Sequence, residues 1–358
     1  MSSILGSLFG GSGSIIGIDI GLSQVKIAEV KKSGNNFKLV SYGFIDLPEG
    51  ALLDENIQNP DAIVNAIQIC LKKYRIDSQN FCLGLFGENT VARKLQVSGG
   101  KDDEIEDAVL FEAEQYLPFS ADDSVISFHK YGENEGGGVD ILVAAARVDV
   151  MENYKELVES AGKKFKVKIV DLGIIAITNL FEHVLGDRVQ ELDKSYIFLD
   201  IGAQKTHFVI YRNGTIVFSK EVKQGGANIT EQIQRQMGVN YQEAEYLKIN
   251  GDGNGNLPED IIDIIEDILE DFFTELRKTI DFYESSTSDD TITDIFITGG
   301  GAQTPGLAEG IETILERNVE ILSPFETLAF DKKKFGQDVL NEISYRGGVA
   351  LGLAMRAV

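Results

Sequence analysis

Only two of the 358 residues are cysteine, Cys70 and Cys82, and only three are histidine, His129, His183 and His207. Two cysteines build no disulfide framework and match no zinc spacing, which fits a reducing compartment. The histidines lie far apart in sequence and form no local metal motif. Positive charge is also scarce: 33 Lys and Arg stand against 57 Asp and Glu, a formal net charge of −24. That balance argues against the basic surface that nucleic acid requires, and against docking on anionic headgroups by overall charge. No stretch approaches the ~20 consecutive apolar residues of a membrane-spanning helix. The start, Met1 to Ser14, is Gly/Ser-rich and lacks a basic segment followed by an apolar run, so it is not expected to be a signal peptide. A cytoplasmic location is expected. The chain has neither a Gly-x-x-x-x-Gly-Lys-Ser/Thr loop nor a Gly-x-Gly-x-x-Gly turn opening a βαβ unit.

What is present is ordinary globular composition, 43% hydrophobic and 25% charged, on a chain longer than one core usually serves. Two halves are expected, and a repeat marks them. Ile18-Asp19-Ile20-Gly21 and Leu199-Asp200-Ile201-Gly202 each end an apolar strand and each precede a polar turn and a second strand. Three strands joined by short turns are predicted in each half, the second hairpin signalled by Asn213-Gly214. A spacing of 181 residues between the aspartates implies duplicated domains rather than a solenoid. Helices are predicted over 60–73, 102–116, 150–161, 174–185, 240–249, 259–283, 307–315 and 345–355. The block at about 85–165 reads as a small α+β unit set into the first half.

Glycine in a tight hairpin brings backbone N–H groups close to a phosphate with no side chain between them. A magnesium ion on such phosphates needs only one or two carboxylates. Two strand-end aspartates, Asp19 and Asp200, each followed by a glycine turn at Gly21 or Gly202, therefore predict a nucleotide–metal cleft closed from both sides. Ser23 and Lys26 in the first copy are placed where they could reach phosphates, and Lys205 and Thr206 are read as holding comparable positions in the second. Gly225-Gly226 before a helix, and Gly299-Gly300-Gly301-Ala302 after a strand, also allow close backbone approach. Asp252 to Asn256 mimics the start of a calcium loop, but Leu257 stands where glycine is required, and a plain turn is expected.

Asp19-Ile20-Gly21, Asp200-Ile201-Gly202-Ala203 with Thr206, and Gly299 to Ala302 resemble the phosphate-1, phosphate-2 and adenosine motifs of the actin-like ATPase superfamily, which includes actin, sugar kinases, FtsA and MreB. Within it, Glu112 to Phe119, Glu243 to Lys248, Val349 to Arg356 and the leader Leu8-Phe9-Gly10 resemble the PilM family of type IV pilus assembly. The resemblance implies an α/β, duplicated actin-like (ribonuclease H-like) ATPase fold with a small α+β subdomain inserted in the first lobe. It divides the chain into a leader (1–14), a first lobe (15–190), a second lobe (191–344, its 2B part at about 240–290) and a C-terminal helix (345–358) returning to the first lobe.

The resemblance further implies ATP or ADP with Mg as cofactors. Its nucleotide-binding positions would be Asp19, Gly21, Ser23, Lys26, Asp200, Gly202, Lys205, Thr206, Gly225, Gly226, Glu245, Lys248, Gly300, Gly301 and Ala302, with Asp19 and Asp200 nearest the metal. It implies a partner, the cytoplasmic N-terminal tail of the membrane protein PilN, in an apolar groove near Tyr116, Leu117 and Phe119. Pilus motor ATPases and further copies of the chain are other partners it allows, with membrane association only through partners. The family's γ-phosphate-side acidic position falls on Gly173, and Asp171 is two residues away, so hydrolysis is expected to be weak or absent. Two other readings share the fold: an FtsA-like or secretion-system cytoskeletal protein, and a small-molecule kinase. The last predicted helix carries only Arg346 and Arg356 as cations, unlike a basic membrane-binding helix. Two cysteines cannot supply a sugar kinase's cysteine-rich zinc motif.

Overall fold

The computed structural model describes residues 15–34, 36–54, 56–134, 136–251, 256–287 and 291–356. The leader motif at Leu8 to Gly10 and most of the calcium-like turn, 252–255, lie outside these residues. The chain divides into two compact units, the first running to Gly186, with Thr215–Val217 and everything from Pro324 on, and the second comprising Asp187–Gly214 and Phe218–Ser323.

In the first unit, β1 (Ile15–Ile20), β2 (Gln24–Ser33) and β3 (Asn36–Asp46) form an antiparallel meander. A short pair, β4 (Leu52–Leu53) and β5 (Asn56–Ile57), leads to α1 (Pro60–Tyr74). This helix starts where the Asn59 side chain accepts the Ala62 N–H at 3.1 Å and Pro60 fills the first turn, and it ends at Arg75 in the left-handed region. Its buried face, Ile63, Ala66, Ile67 and Cys70, has helical spacing. Next, β6 (Asn80–Leu85) runs parallel to β1.

The inserted part follows: β7 (Thr90–Ser98), α2 (Asp102–Tyr116), β8 (Ser124–Glu133) and β9 (Gly138–Arg147). Its antiparallel sheet has the order β7-β9-β8, and Ile105 and Val109 of α2 bury against Val97, Ile141 and Val143. Thr90–Ser98 was not predicted from sequence. Its polar residues mask the strand, and its partner β9 lies far along the chain, with Thr90 opposite Ala146. The next helix, α3 (Val148–Ser160), buries Tyr154, Leu157 and Val158 in the main core of the unit. Then β10 (Lys166–Leu172) joins parallel to β6, and α4 (Gly173–Leu185) follows.

The second unit repeats the plan. Strands β11 (Ser195–Ile201), β12 (Thr206–Arg212) and β13 (Thr215–Val222) precede α5 (Gly226–Met237), α6 (Tyr241–Asn250) and the 29-residue α7 (Glu259–Thr287). Helix α6 opens with a reciprocal cap between Asn240 and Glu243. Then come β14 (Ile292–Thr298), α8 (Leu307–Leu315) and β15 (Asn318–Ile321). The two five-stranded sheets have the orders β10-β6-β1-β2-β3 and β15-β14-β11-β12-β13, the same topology strand for strand. Asp19 lies opposite Lys26 and Asp200 opposite His207, one residue before the end of each first strand.

The chain ends in the first unit with α9 (Gln337–Arg346) and α10 (Gly348–Arg356). The sequence predicts one closing helix over 345–355 and no helix over 337–344; the structure has both α9 and α10, with the break after Arg346, at Gly347. Every residue from Gly348 to Met355 is buried. The helix lies directly on backbone: a Cβ on Gly17 of β1 would meet the Ala350 carbonyl at 2.3 Å, and one on Gly352 would meet the Ala176 carbonyl of α4 at 1.9 Å. Overpacking of this kind costs about 1–3 kcal/mol or more. Gly352→Ala is expected to destabilise the first unit by that amount, read as a lowered urea midpoint; an unchanged midpoint would show that α4 and α10 separate freely.

Candidate functional site

The second unit brings Gly202, Lys205, Thr206, Gly225, Gly226, Lys248 and Gly301 of the sequence-predicted site around the end of β11. The β11–β12 turn closes with the Gly202 N–H on the Lys205 carbonyl at 2.9 Å. Against this turn lies the start of α5, whose Gly226 and Ala227 N–H groups donate to the Gly202 and Ala203 carbonyls at 3.1 and 2.6 Å. Such an approach tolerates no side chain: a Cβ on Gly225 would sit 2.5 Å from the Ala203 oxygen. The Gly225 N–H is taken by the Asn228 side chain at 2.8 Å. The Gly225-Gly226 pair therefore joins two backbone segments, and its N–H groups are spent on protein acceptors.

The third glycine run packs on the same strand end. Gly299 has φ +95°, and its Cβ position would be 2.3 Å from the Ile201 carbonyl and 2.7 Å from Asp200 Oδ1. Gly301 faces the Ile201 side chain at 2.4 Å in the same sense, and Ala302 is buried behind it. Between these turns and α7 lies a small apolar pocket, lined by Ile201, Gly225, Gly226, Gly301, Ile268 and Phe272 among others.

Three polar contacts brace this framework. The Thr206 hydroxyl donates to the Gln224 carbonyl at 2.8 Å. Lys205, 4% exposed, pairs with Glu221 at 2.7 Å. The Lys248 ammonium donates to the Gly226 carbonyl at 3.0 Å, to Thr230 Oγ1 at 2.8 Å and to Glu245 Oε2 at 2.6 Å, so α6 is tied to the first turn of α5. Glu221 and Thr230 escaped the sequence reading, because each is defined by a partner on another element.

The first unit carries the same turn in its own copy. Gly21 N–H donates to the Gln24 carbonyl at 2.9 Å, and Lys26 pairs with the buried Asp19 at 3.0 Å. Ser23 is exposed, and its carbonyl accepts the Leu47 N–H. The turn hydrogen bonds and strand registers correct one equivalence. The counterpart of Lys205 is Gln24, and the counterpart of Lys26 is His207, so Lys205 and Thr206 do not repeat Ser23 and Lys26. Gln24 donates to Asp46 at 2.7 Å, much as Lys205 pairs with Glu221.

Gly173 opens α4 beneath the ring of Phe86, where a Cβ would lie 1.8 Å from Cζ. Any side chain at this position collides with Phe86. Asp171, at the end of β10, pairs instead with Arg356 of α10, 3.3 Å away. Burial pushes its carboxyl above the ordinary range, partly offset by the Arg356 charge. Glu342 of α9 is raised in the same way, by burial first. Around the predicted groove, the Arg93 guanidinium stacks 4.2 Å from the exposed Tyr116 ring, and Leu117 and Phe119 are half-buried. Among the described residues no group of three or more His, Cys, Asp and Glu could hold a metal ion.

The comparisons with known proteins agree with this architecture. The solved PilM–PilN type IV pilus biogenesis complex matches with TM-score 0.84 at 29% identity, covering 96% of this chain and 98% of that one. The ethanolamine utilization protein EutJ of Carboxydothermus hydrogenoformans shares the fold, with TM-score 0.54 and 12% identity over 94% of this chain and 89% of that one. FtsA of Enterococcus hirae is 25% identical over 197 residues, covering 49% of this chain and 42% of that protein, so the match spans less than half of that relative's length. FtsA of Buchnera aphidicola is 23% identical over 365 residues, covering 87% and 84%. The duplicated sheets, the inserted α+β part and the paired Asp-Ile-Gly turns define a protein of the actin-like ATPase fold. The family described as type IV pilus assembly protein PilM matches residues 17–358. The chain belongs to that family.

A carboxyl whose pKa is raised on folding makes the folded state bind protons more tightly, so its contribution to stability falls as pH climbs through that range. Asp171 thus favours folding below about pH 4 and disfavours it progressively above. Asp171→Asn is expected to flatten the decline in melting temperature between about pH 4 and neutrality. An unchanged profile would mean that Arg356 fully offsets the burial.

Proposed function

We propose that the chain is an ATP-binding scaffold of the type IV pilus assembly machinery. It takes the cytoplasmic N-terminal tail of PilN beside Tyr116, Leu117 and Phe119, and so sits peripherally at the inner membrane and links the membrane alignment complex to the cytoplasmic motor. Family membership supports the assignment to the pilus. The observation that carries the nucleotide reading is the glycine framework at the end of β11, where Gly225, Gly299 and Gly301 leave no room for side chains. Those clashes are with protein atoms, so the glycines hold the β11–β12 turn, the start of α5 and the Gly299–Gly301 turn against one another, with the Asp200 carboxylate at their edge facing the place a phosphorylated ligand would take. Asp19, Gly21, Ser23 and Lys26 offer the first unit's version of the same groups. A magnesium ion on such phosphates would neutralise their charge, and Asp19 in the first unit and Asp200 in the second are each a carboxylate suited to its hydration shell.

ATP acts here as a structural ligand. The collision of any residue-173 side chain with Phe86 removes the position from which an acid would orient water, and Asp171 is engaged by Arg356. Magnesium-ATP is expected to raise the melting temperature, since ligand at a hundred times its Kd adds about 2.7 kcal/mol. Asp200→Ala should remove most of that shift. Multiple-turnover phosphate release abolished by Asp200→Ala would contradict the structural role. For the partner, the double variant Tyr116→Ala, Phe119→Ala is expected to weaken binding of a PilN-tail peptide by about tenfold or more, as loss of buried aromatic anchors does. Unchanged affinity would move the groove elsewhere.

A further inference from the structure

The overall acidity conceals one basic region. Residues 68–79 and 159–169 hold seven Lys and Arg against two carboxylates, Asp77 and Glu159, in a chain whose net charge is −24. The fold brings these two segments together. Gln68 of α1 donates to the Ala161 carbonyl beyond α3 at 3.0 Å, and the Lys166 N–H donates to the Gln79 carbonyl at 2.8 Å. Lys72 follows Gln68 one turn on along the same helix face, and Arg75 is the left-handed residue that ends the helix. Lys163 and Lys164 directly follow the Ala161 contact, and Lys166 and Lys168 alternate outward along the edge strand β10. All six are exposed. Lys166 is partly neutralised by Glu159 at 3.2 Å.

This patch has a defined place in the first unit. Strands β1, β6 and β10 run parallel and begin at one pole of the sheet, with Ile15 opposite Asn80 and Asn80 opposite Lys166. The β2–β3 hairpin turns at the same pole, past the Val30–Leu39 pair, and exposes Lys31, Lys32 and Lys38 there. It is the pole opposite the Asp19 turn. The apolar residues between the lysines of the second segment, Phe165 and Val167, are half-buried, with Phe165 against Phe81 at 5.1 Å, so neither is free to insert into a bilayer or to stack on a base.

We infer that this lysine-rich pole is a weak, purely electrostatic contact for an anionic membrane surface, orienting the first unit with its Asp19 turn pointing away from the bilayer. Screening makes the local charge decisive: at physiological salt the field of distant carboxylates fades within about 8 Å. Cations spread along both edges of one pole suit a planar array of charges better than a single groove-bound ligand. One polybasic contact without insertion anchors poorly alone, so it adds to a second attachment and does not replace it.

The test is co-sedimentation of the full chain with vesicles of phosphatidylcholine alone and of equal parts phosphatidylcholine and phosphatidylglycerol. Binding is expected only to the anionic vesicles, in low salt, and reversed by raising salt. The combined variant Lys163→Glu, Lys164→Glu, Lys166→Glu, Lys168→Glu, checked for an unchanged melting temperature, should lose about tenfold in bound fraction. Lys72→Glu with Arg75→Glu should lose binding in the same direction should the first variant fail to fold. Lys278→Glu on the second unit should bind as the wild type does. Absence of binding in low salt, or full binding by the charge-reversed variants, overturns the inference. So does retention on heparin or polyglutamate without vesicle binding, which would make the patch a site for an acidic macromolecule.

Discussion

Backbone lying directly on backbone, with no side chain between, is the constraint on which the structure depends. In the first unit it seats α10 on β1 and α4, through Gly17 and Gly352. In the second it seats the start of α5 and the Gly299–Gly301 turn on the end of β11. Each contact excludes even a methyl group. The consequence differs between the units. Around α10 the glycines let a short helix bury from Gly348 to Met355, which holds those residues in the first core. At β11 they leave a surface built of peptide groups, rigid because its turns are hydrogen-bonded to one another. The Gly202, Gly225, Gly226 and Ala227 N–H groups are spent within it, so their part toward a charged ligand is to hold the turn rigid.

The braces around this surface couple it to distant elements. Lys248 carries α6 to the Gly226 carbonyl, and Lys205 joins the turn to Glu221 of β13. A buried ion pair such as Lys205–Glu221 contributes little net stability, but breaking one partner leaves an uncompensated charge. These pairs therefore fix geometry more than they add free energy. The two copies have diverged here: a neutral amide–carboxylate bond, Gln24 to Asp46, occupies the place of the second unit's ion pair.

Much of this was legible in the chain. The paired Asp-Ile-Gly strands, the antiparallel meanders and the helix at Leu307–Leu315 follow from period, turn residues and glycine placement, which are local signals. Thr90–Ser98 was missed because its pairing with β9 is long-range and its own pattern is broken by Arg93, Lys94 and Gln96. The equivalence of Lys205 was misread because matching cation to cation overlooks the 181-residue offset between the aspartates, which aligns it with Gln24 as the turn hydrogen bonds do. That the Gly225 and Gly226 N–H groups serve protein acceptors was invisible, since sequence marks a glycine's freedom and not its partner. The lysine-rich pole was hidden for a related reason: a net charge sums over the surface that the fold sorts.

The central claim is that the glycine framework at the end of β11 holds ATP without turning it over. Hydrogen–deuterium exchange of the full chain, with and without magnesium-ATP, tests it most directly. The account predicts slowed exchange over 200–206, 224–230 and 299–304, persisting undiminished through hours of incubation because the ligand is not consumed. Slowed exchange confined to other segments, or protection that decays as phosphate is released, would contradict it.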